Sequence, residues 1–99
     1  MRLSPEQCTA IRTSVSQLAG NTARVWLFGS RVDDDARGGD VDLLVEVDTA
    51  VEEPAQLAAR LSARVSRSMY GRKVDVLIKA PNLLHLPIHN AALSQGVLL

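Results

Sequence analysis

Apolar positions along the chain follow two different periods. Cys8, Ile11, Val15 and Leu18 recur every three or four residues, the spacing that builds one apolar face on a helix. That segment opens at Ser4-Pro5-Glu6-Gln7, where Ser4 can cap free N–H groups, Pro5 suits the first turn and Gln7 can return a bond to Ser4. Gly20 supplies the stop, so a helix is predicted over about 5–19. Arg24-Val25-Trp26-Leu27-Phe28 is a β-branched and aromatic run ending at Gly29-Ser30, which reads as a buried strand opening into a turn. A polar stretch from Arg31 to Gly39 follows. Between Asp40 and Val47 the period becomes two: Val41, Leu43, Val45 and Val47 share one face, and Asp40, Asp42, Leu44 and Glu46 the other.

Pro54 starts a second helical segment, with Leu57, Leu61, Val65 and Met69 as its apolar stripe and Gly71 as its end. Lys73 to Lys79 is again strand-like, Val74, Val76 and Ile78 facing one way and Asp75 and Leu77 the other. Pro81 and Pro87 interrupt the pattern, a short helix is predicted over about 88–95, and Gly96 releases Val97-Leu98-Leu99 as a strand or tail. This order of elements predicts a small α/β (α+β) domain, a mixed β-sheet flanked by helices, occupying 1–99 without repeat or linker.

The 99 residues leave no room for a second folded domain. A chain of this size buries only about 60–65% of its unfolded surface, so a partner would add useful stability. Eleven Lys+Arg balance eleven Asp+Glu, which argues against a general nucleic-acid binder. Trp26, Phe28 and Tyr70 are too few aromatics for a base-stacking platform, so no direct nucleic-acid binding is expected. No apolar run approaches the roughly 20 residues that span a bilayer. With a lone Cys8 and no signal-peptide core after Met1, the expected compartment is the reducing cytoplasm.

The chemistry concentrates in Gly29-Ser30, Asp40-Val41-Asp42 and Asp75. Alternation puts Asp40 and Asp42 on one strand face, roughly 6–7 Å apart, close enough to share divalent cations. If the Asp75 strand pairs alongside, three carboxylates converge, and their mutual repulsion calls for cations such as Mg²⁺. Two such ions can stabilise both the attacking and the leaving oxygens of an in-line phosphoryl displacement. Gly29 lets backbone N–H groups approach phosphate oxygens, Ser30 adds a hydroxyl donor, and Arg31 can reach a phosphate bidentately. Together they read as a nucleoside triphosphate site.

These residues resemble a known family. Gly29-Ser30-Arg31 followed by Asp40-Val41-Asp42-Leu43 is similar to the Gly-Ser…Asp-x-Asp signature of the DNA polymerase β nucleotidyltransferase superfamily. Val74-Asp75-Val76-Leu77-Ile78 is similar to its third-carboxylate strand. With the chain's size and the tail Pro87-Ile88-His89…Gln95-Gly96-Val97-Leu98-Leu99, the whole sequence resembles the minimal nucleotidyltransferases, single-domain prokaryotic proteins encoded beside a helical HEPN-domain protein. The resemblance implies a toxin–antitoxin pair, in which this protein neutralises an RNA-cleaving HEPN toxin by binding it and transferring AMP from ATP onto a toxin tyrosine. It also implies that Gly29 and Ser30 hold the triphosphate and that Asp40 and Asp42 ligate Mg²⁺. Asp75 would complete the metal site and assist the acceptor hydroxyl. Family members often carry a glycine after the Gly-Ser pair and a serine just before the first aspartate; this chain has Asp33-Asp34-Asp35 and Gly39. Three acids beside a triphosphate repel it unless they point outward. That departure motivates a second expectation, a binding module that neutralises the toxin by covering it. A transferase acting on a small molecule or tRNA end ranks below both.

Several features have plainer readings. A calcium loop starting at Asp33 fails, because its fifth position is Arg37 and its twelfth Leu44 where a bidentate Glu is needed. Arg31 could instead pair with Asp33 or Asp35 at the surface. Arg60, Arg64 and Arg67 read as a solvated helix face, with a docking or RNA-contacting strip as the alternative. His85 and His89 stand four apart, but Pro87 between them disrupts the helix that a zinc pair would need. Cys8 is expected as a buried small hydrophobe, and Trp26 and Phe28 as core, with nucleobase contact the lesser option.

Overall fold

The structure is a computed structural model and describes residues 3–28 and 41–99. Its elements run α1 (Pro5–Ala19), β1 (Arg24–Phe28), β2 (Val41–Glu46), α2 (Pro54–Ser68), β3 (Val74–Lys79), α3 (Pro87–Gln95) and β4 (Val97–Leu98). The expected start of α1 is present in full: the Gln7 N–H donates to Ser4 Oγ at 3.1 Å and the Ser4 N–H to Gln7 Oε1 at 2.9 Å. At its other end Gly20 takes φ 103°, a backbone that glycine tolerates, and its N–H donates to the Ser16 carbonyl. Helix α2 stops at Ser68, before Gly71, and the reversal into β3 uses consecutive left-handed residues, Tyr70 at φ 59° and Gly71 at φ 80°.

The four strands lie in the order β3-β2-β1-β4. Strand β1 is antiparallel to β2 and β4, and β2 is parallel to β3 through the α2 crossover. One face of the sheet packs on α1 and α2. Ile11, Leu27, Val41, Leu43, Val45 and Val65 are fully buried there, with Cys8 half-buried at the margin. The opposite face is crossed by α3 over β1 and β2. Leu44, placed by alternation between two acids, is nevertheless fully buried outside the main core, and Ala92 of α3 is buried with it.

Trp26 and Phe28 correct an expectation. They are half-buried on this second face and take no part in the main core, which takes Val25 and Leu27 from the same strand. The Trp26 indole N–H is buried with no acceptor among the described residues. Pro87 is also different from its reading as a breaker: it occupies the first turn of α3, where its missing N–H is harmless. Among the described residues no helix is long and apolar enough to cross a membrane.

Candidate functional site

Strand register places side chains of the second face in three transverse rows. Phe28, Asp42 and Asp75 form the first, at the end where β1 finishes and β2 and β3 begin. Leu98, Trp26, Leu44 and Leu77 form the apolar middle row. Arg24, Glu46 and Lys79 form the last.

The last row shows how the fold treats charge when the role is structural. Glu46 accepts from Arg24 Nε at 2.9 Å and from Lys79 Nζ at 3.2 Å. The Arg24 hydrogen bond holds the Glu46 carboxyl below its ordinary pKa against the opposing effect of burial, with Lys79 adding to the depression. Glu46 in turn raises the Arg24 pKa, with Asp48 assisting at 3.5 Å. The sequence reading did not single out this row, although its alternating signs on three successive strands were the available signal.

The first row holds two acids. Asp42 and Asp75 are partners in the parallel ladder, so two carboxylates project from neighbouring strands on the same face. Adjacent strands lie about 4.7–4.9 Å apart, and like charges placed side by side on a sheet destabilise it. Asp42 is half-buried and Asp75 exposed. The condition set by the sequence, that the Asp75 strand should pair beside the Asp42 strand, is met, and in register. Gly29, Ser30, Arg31, Asp40 and the run Asp33-Asp34-Asp35 with Gly39 lie outside the described residues.

The donor chemistry of this row suits a hard cation, because it offers carboxylate oxygens with neither thiolate nor imidazole. Among the described residues no group of three or more ligating side chains is assembled; the row supplies two. His85 and His89 are occupied otherwise. Their rings lie 5.3 Å apart, His89 Nδ1 accepts from the Leu86 N–H at 3.1 Å, and His85 Nε2 bonds Asn90 Oδ1 at 2.8 Å. Burial pushes the His89 pKa down, with the positive charges of His85 and Lys79 contributing. Its imidazole serves as the third residue of α3, returning a bond to the helix start.

A carboxylate pair on neighbouring strands offers a hard divalent cation two oxygen donors. The model of the nucleotidyltransferase domain matches residues 8–94, and the chain belongs to that family, within the polymerase β superfamily. Members of the superfamily generally use Mg²⁺ and a nucleoside triphosphate. No curated protein matches the chain.

Proposed function

We propose that the protein is a Mg²⁺-dependent nucleotidyltransferase that moves AMP from ATP to a tyrosine hydroxyl on a HEPN-domain toxin, acting as that toxin's antitoxin. The observation that carries the catalytic part is the in-register pair Asp42 and Asp75. In sequence Asp40 directly precedes Val41, the first residue of β2, and Gly29 directly follows Phe28, the ladder partner of Asp42. Asp40, Asp42 and Asp75 would hold Mg²⁺, while Gly29, Ser30 and Arg31 would receive the triphosphate.

Bound Mg²⁺ supplies electrostatic stabilisation of the charge spread over the phosphoryl oxygens. The residues do the rest. Backbone N–H groups at Gly29 and the Ser30 hydroxyl orient the phosphates, and Asp75, exposed at the row's outer side, accepts the proton of the incoming hydroxyl. The acceptor oxygen bonds to the α-phosphorus as the bond to the β-phosphate oxygen breaks, and pyrophosphate leaves.

Incubation with Mg²⁺ and ATP labelled at the α-phosphate should label a co-expressed HEPN protein. The label should vanish when Asp40→Asn and Asp42→Asn are combined. Absence of label, or label surviving the double substitution, would refute the reading. The acidic run Asp33-Asp34-Asp35 and Gly39 favour a second reading, a module that neutralises by binding alone. Under it, the double variant still neutralises the toxin fully.

A further inference from the structure

Arg60, Arg64 and Arg67 are the only charged residues of α2. Spaced by four and three positions, they form one stripe in which each neighbour carries the same charge, an arrangement that destabilises a helix. Among the described residues none of the three is ion-paired; Arg64 donates to the neutral Gln17 side chain of α1, and Arg60 and Arg67 are exposed. In a chain with equal numbers of acids and bases, such a concentration of unbalanced charge is a local rule broken without structural return.

Arg60, Arg64 and Arg67 line a groove of about 270 Å³, together with Leu18 of α1 and Ala63 of α2. We propose that this groove docks an acidic helical segment of a partner protein, its carboxylates meeting the arginines and one aliphatic side chain resting against Leu18 and Ala63. Along the helix axis the arginines are spaced about 6 Å and then about 4.5 Å, which carboxylates at positions i, i+4 and i+7 of a helix laid alongside can follow. Arginine rather than lysine fits the role, since its planar fork takes a carboxylate bidentately.

Nucleic acid suits the groove less well: no aromatic residue lines it, and aliphatic contacts give a phosphate backbone nothing. A second copy is disfavoured by symmetry. Two α2 helices crossing antiparallel at Ala63 would set Arg60 of one against Arg67 of the other. The stripe lies on the helical layer, across the sheet from Asp42 and Asp75, so this inference stands independently of the nucleotidyl-transfer reading.

The test titrates the full chain into a fluorescein-labelled helix-forming peptide with glutamates at i, i+4 and i+7 and a leucine between them, followed by anisotropy at low salt. Saturable binding is expected, weakened at least tenfold by Arg64→Glu and by high salt, and absent for the lysine version of the peptide. Arg64→Glu also converts two like-charge neighbours into opposite-charge ones, so its melting temperature should rise while binding falls. Failure of the acidic peptide to bind, or binding unchanged in the variant, overturns the proposal. A fall in melting temperature together with lost binding would mark the stripe as structural and also overturn it. So would tighter, Arg64-dependent binding of single-stranded oligo(A) RNA, or a dimer seen by sedimentation that Arg64→Glu dissociates.

Discussion

Replacing Asp75 with asparagine removes one charge from the carboxylate row while keeping the side chain's size. At the roughly 5 Å separation of adjacent strands, two unit charges repel by about 0.8 kcal/mol at the dielectric of water and about 3 kcal/mol at the value found near protein surfaces. Asp75 is exposed, which sets the expectation near the lower figure. Without divalent metal, Asp75→Asn should therefore gain about 0.5–1 kcal/mol, or about 2–8 °C in melting temperature for a domain of this size. The gain should shrink in 1 M salt, where screening is short-ranged. Added Mg²⁺ should reverse the order, because a ligand that binds only the folded state stabilises it in proportion to the logarithm of its concentration over Kd, and the variant has lost a donor. Differential scanning fluorimetry with and without Mg²⁺ reads both effects. A metal-free loss of stability in Asp75→Asn, or equal Mg²⁺ shifts in the two proteins, would refute the view that these carboxylates repel each other and share a cation.

Glu46→Gln should reduce the acid-induced loss of stability expected of the wild type, as read by urea titrations at a series of pH values. The Glu46 pKa is depressed on folding, so its contribution is present above its ordinary value of 4.5 and is lost as pH falls through the lower folded value. His89 behaves analogously at higher pH. Its folded pKa lies below the ordinary 6.5, so stability should decline as pH falls below that value, with faster amide exchange at the start of α3; His89→Gln, which keeps an acceptor at that position, should flatten the profile. Leu44→Ala should cost about 2–5 kcal/mol in chemical denaturation, as deletion of a fully buried side chain does, whereas Leu84→Ala at an exposed site should change stability by less than about 0.5 kcal/mol. Gly96→Ala should loosen β4, since an added Cβ would stand 2.3 Å from the Ala92 carbonyl oxygen and 3.0 Å from that of Leu27; faster exchange of the Leu99 N–H, which donates to Val25, would report it.

Much of the fold was legible because local signals agreed with tertiary demand. Ser4, Pro5, Gln7 and Gly20 delimit α1, and the two-residue alternation from Val41 to Glu46 gives the correct faces of β2. Strand β1 shows where the signal fails: Val25 and Leu27 are as apolar as Trp26 and Phe28, so alternation separates two faces without saying which is the core. The cover that α3 provides for Leu44 was hidden for a related reason, since Asp42 and Glu46 on either side make that face look solvated. Register was hidden too. A period of two says that Asp42 and Asp75 each stand on one face of their strands, but their placement side by side depends on how the α2 crossover delivers β3 to the sheet.

Among the described residues β3 forms an outer margin of the sheet; the Ser62 hydroxyl of α2 already donates to the Val74 carbonyl at its start, and the stretch beyond, Asp-Val-Leu-Ile-Lys, is where a foreign strand would pair. An ionised side chain on such a border discourages aberrant β-addition. The charge of Asp75 would guard this border as well, and a substitution that relieves its repulsion with Asp42 would leave it less guarded. Asp75→Asn should then be the better-folded protein in dilute solution and the poorer one at high concentration, where light scattering would detect its association.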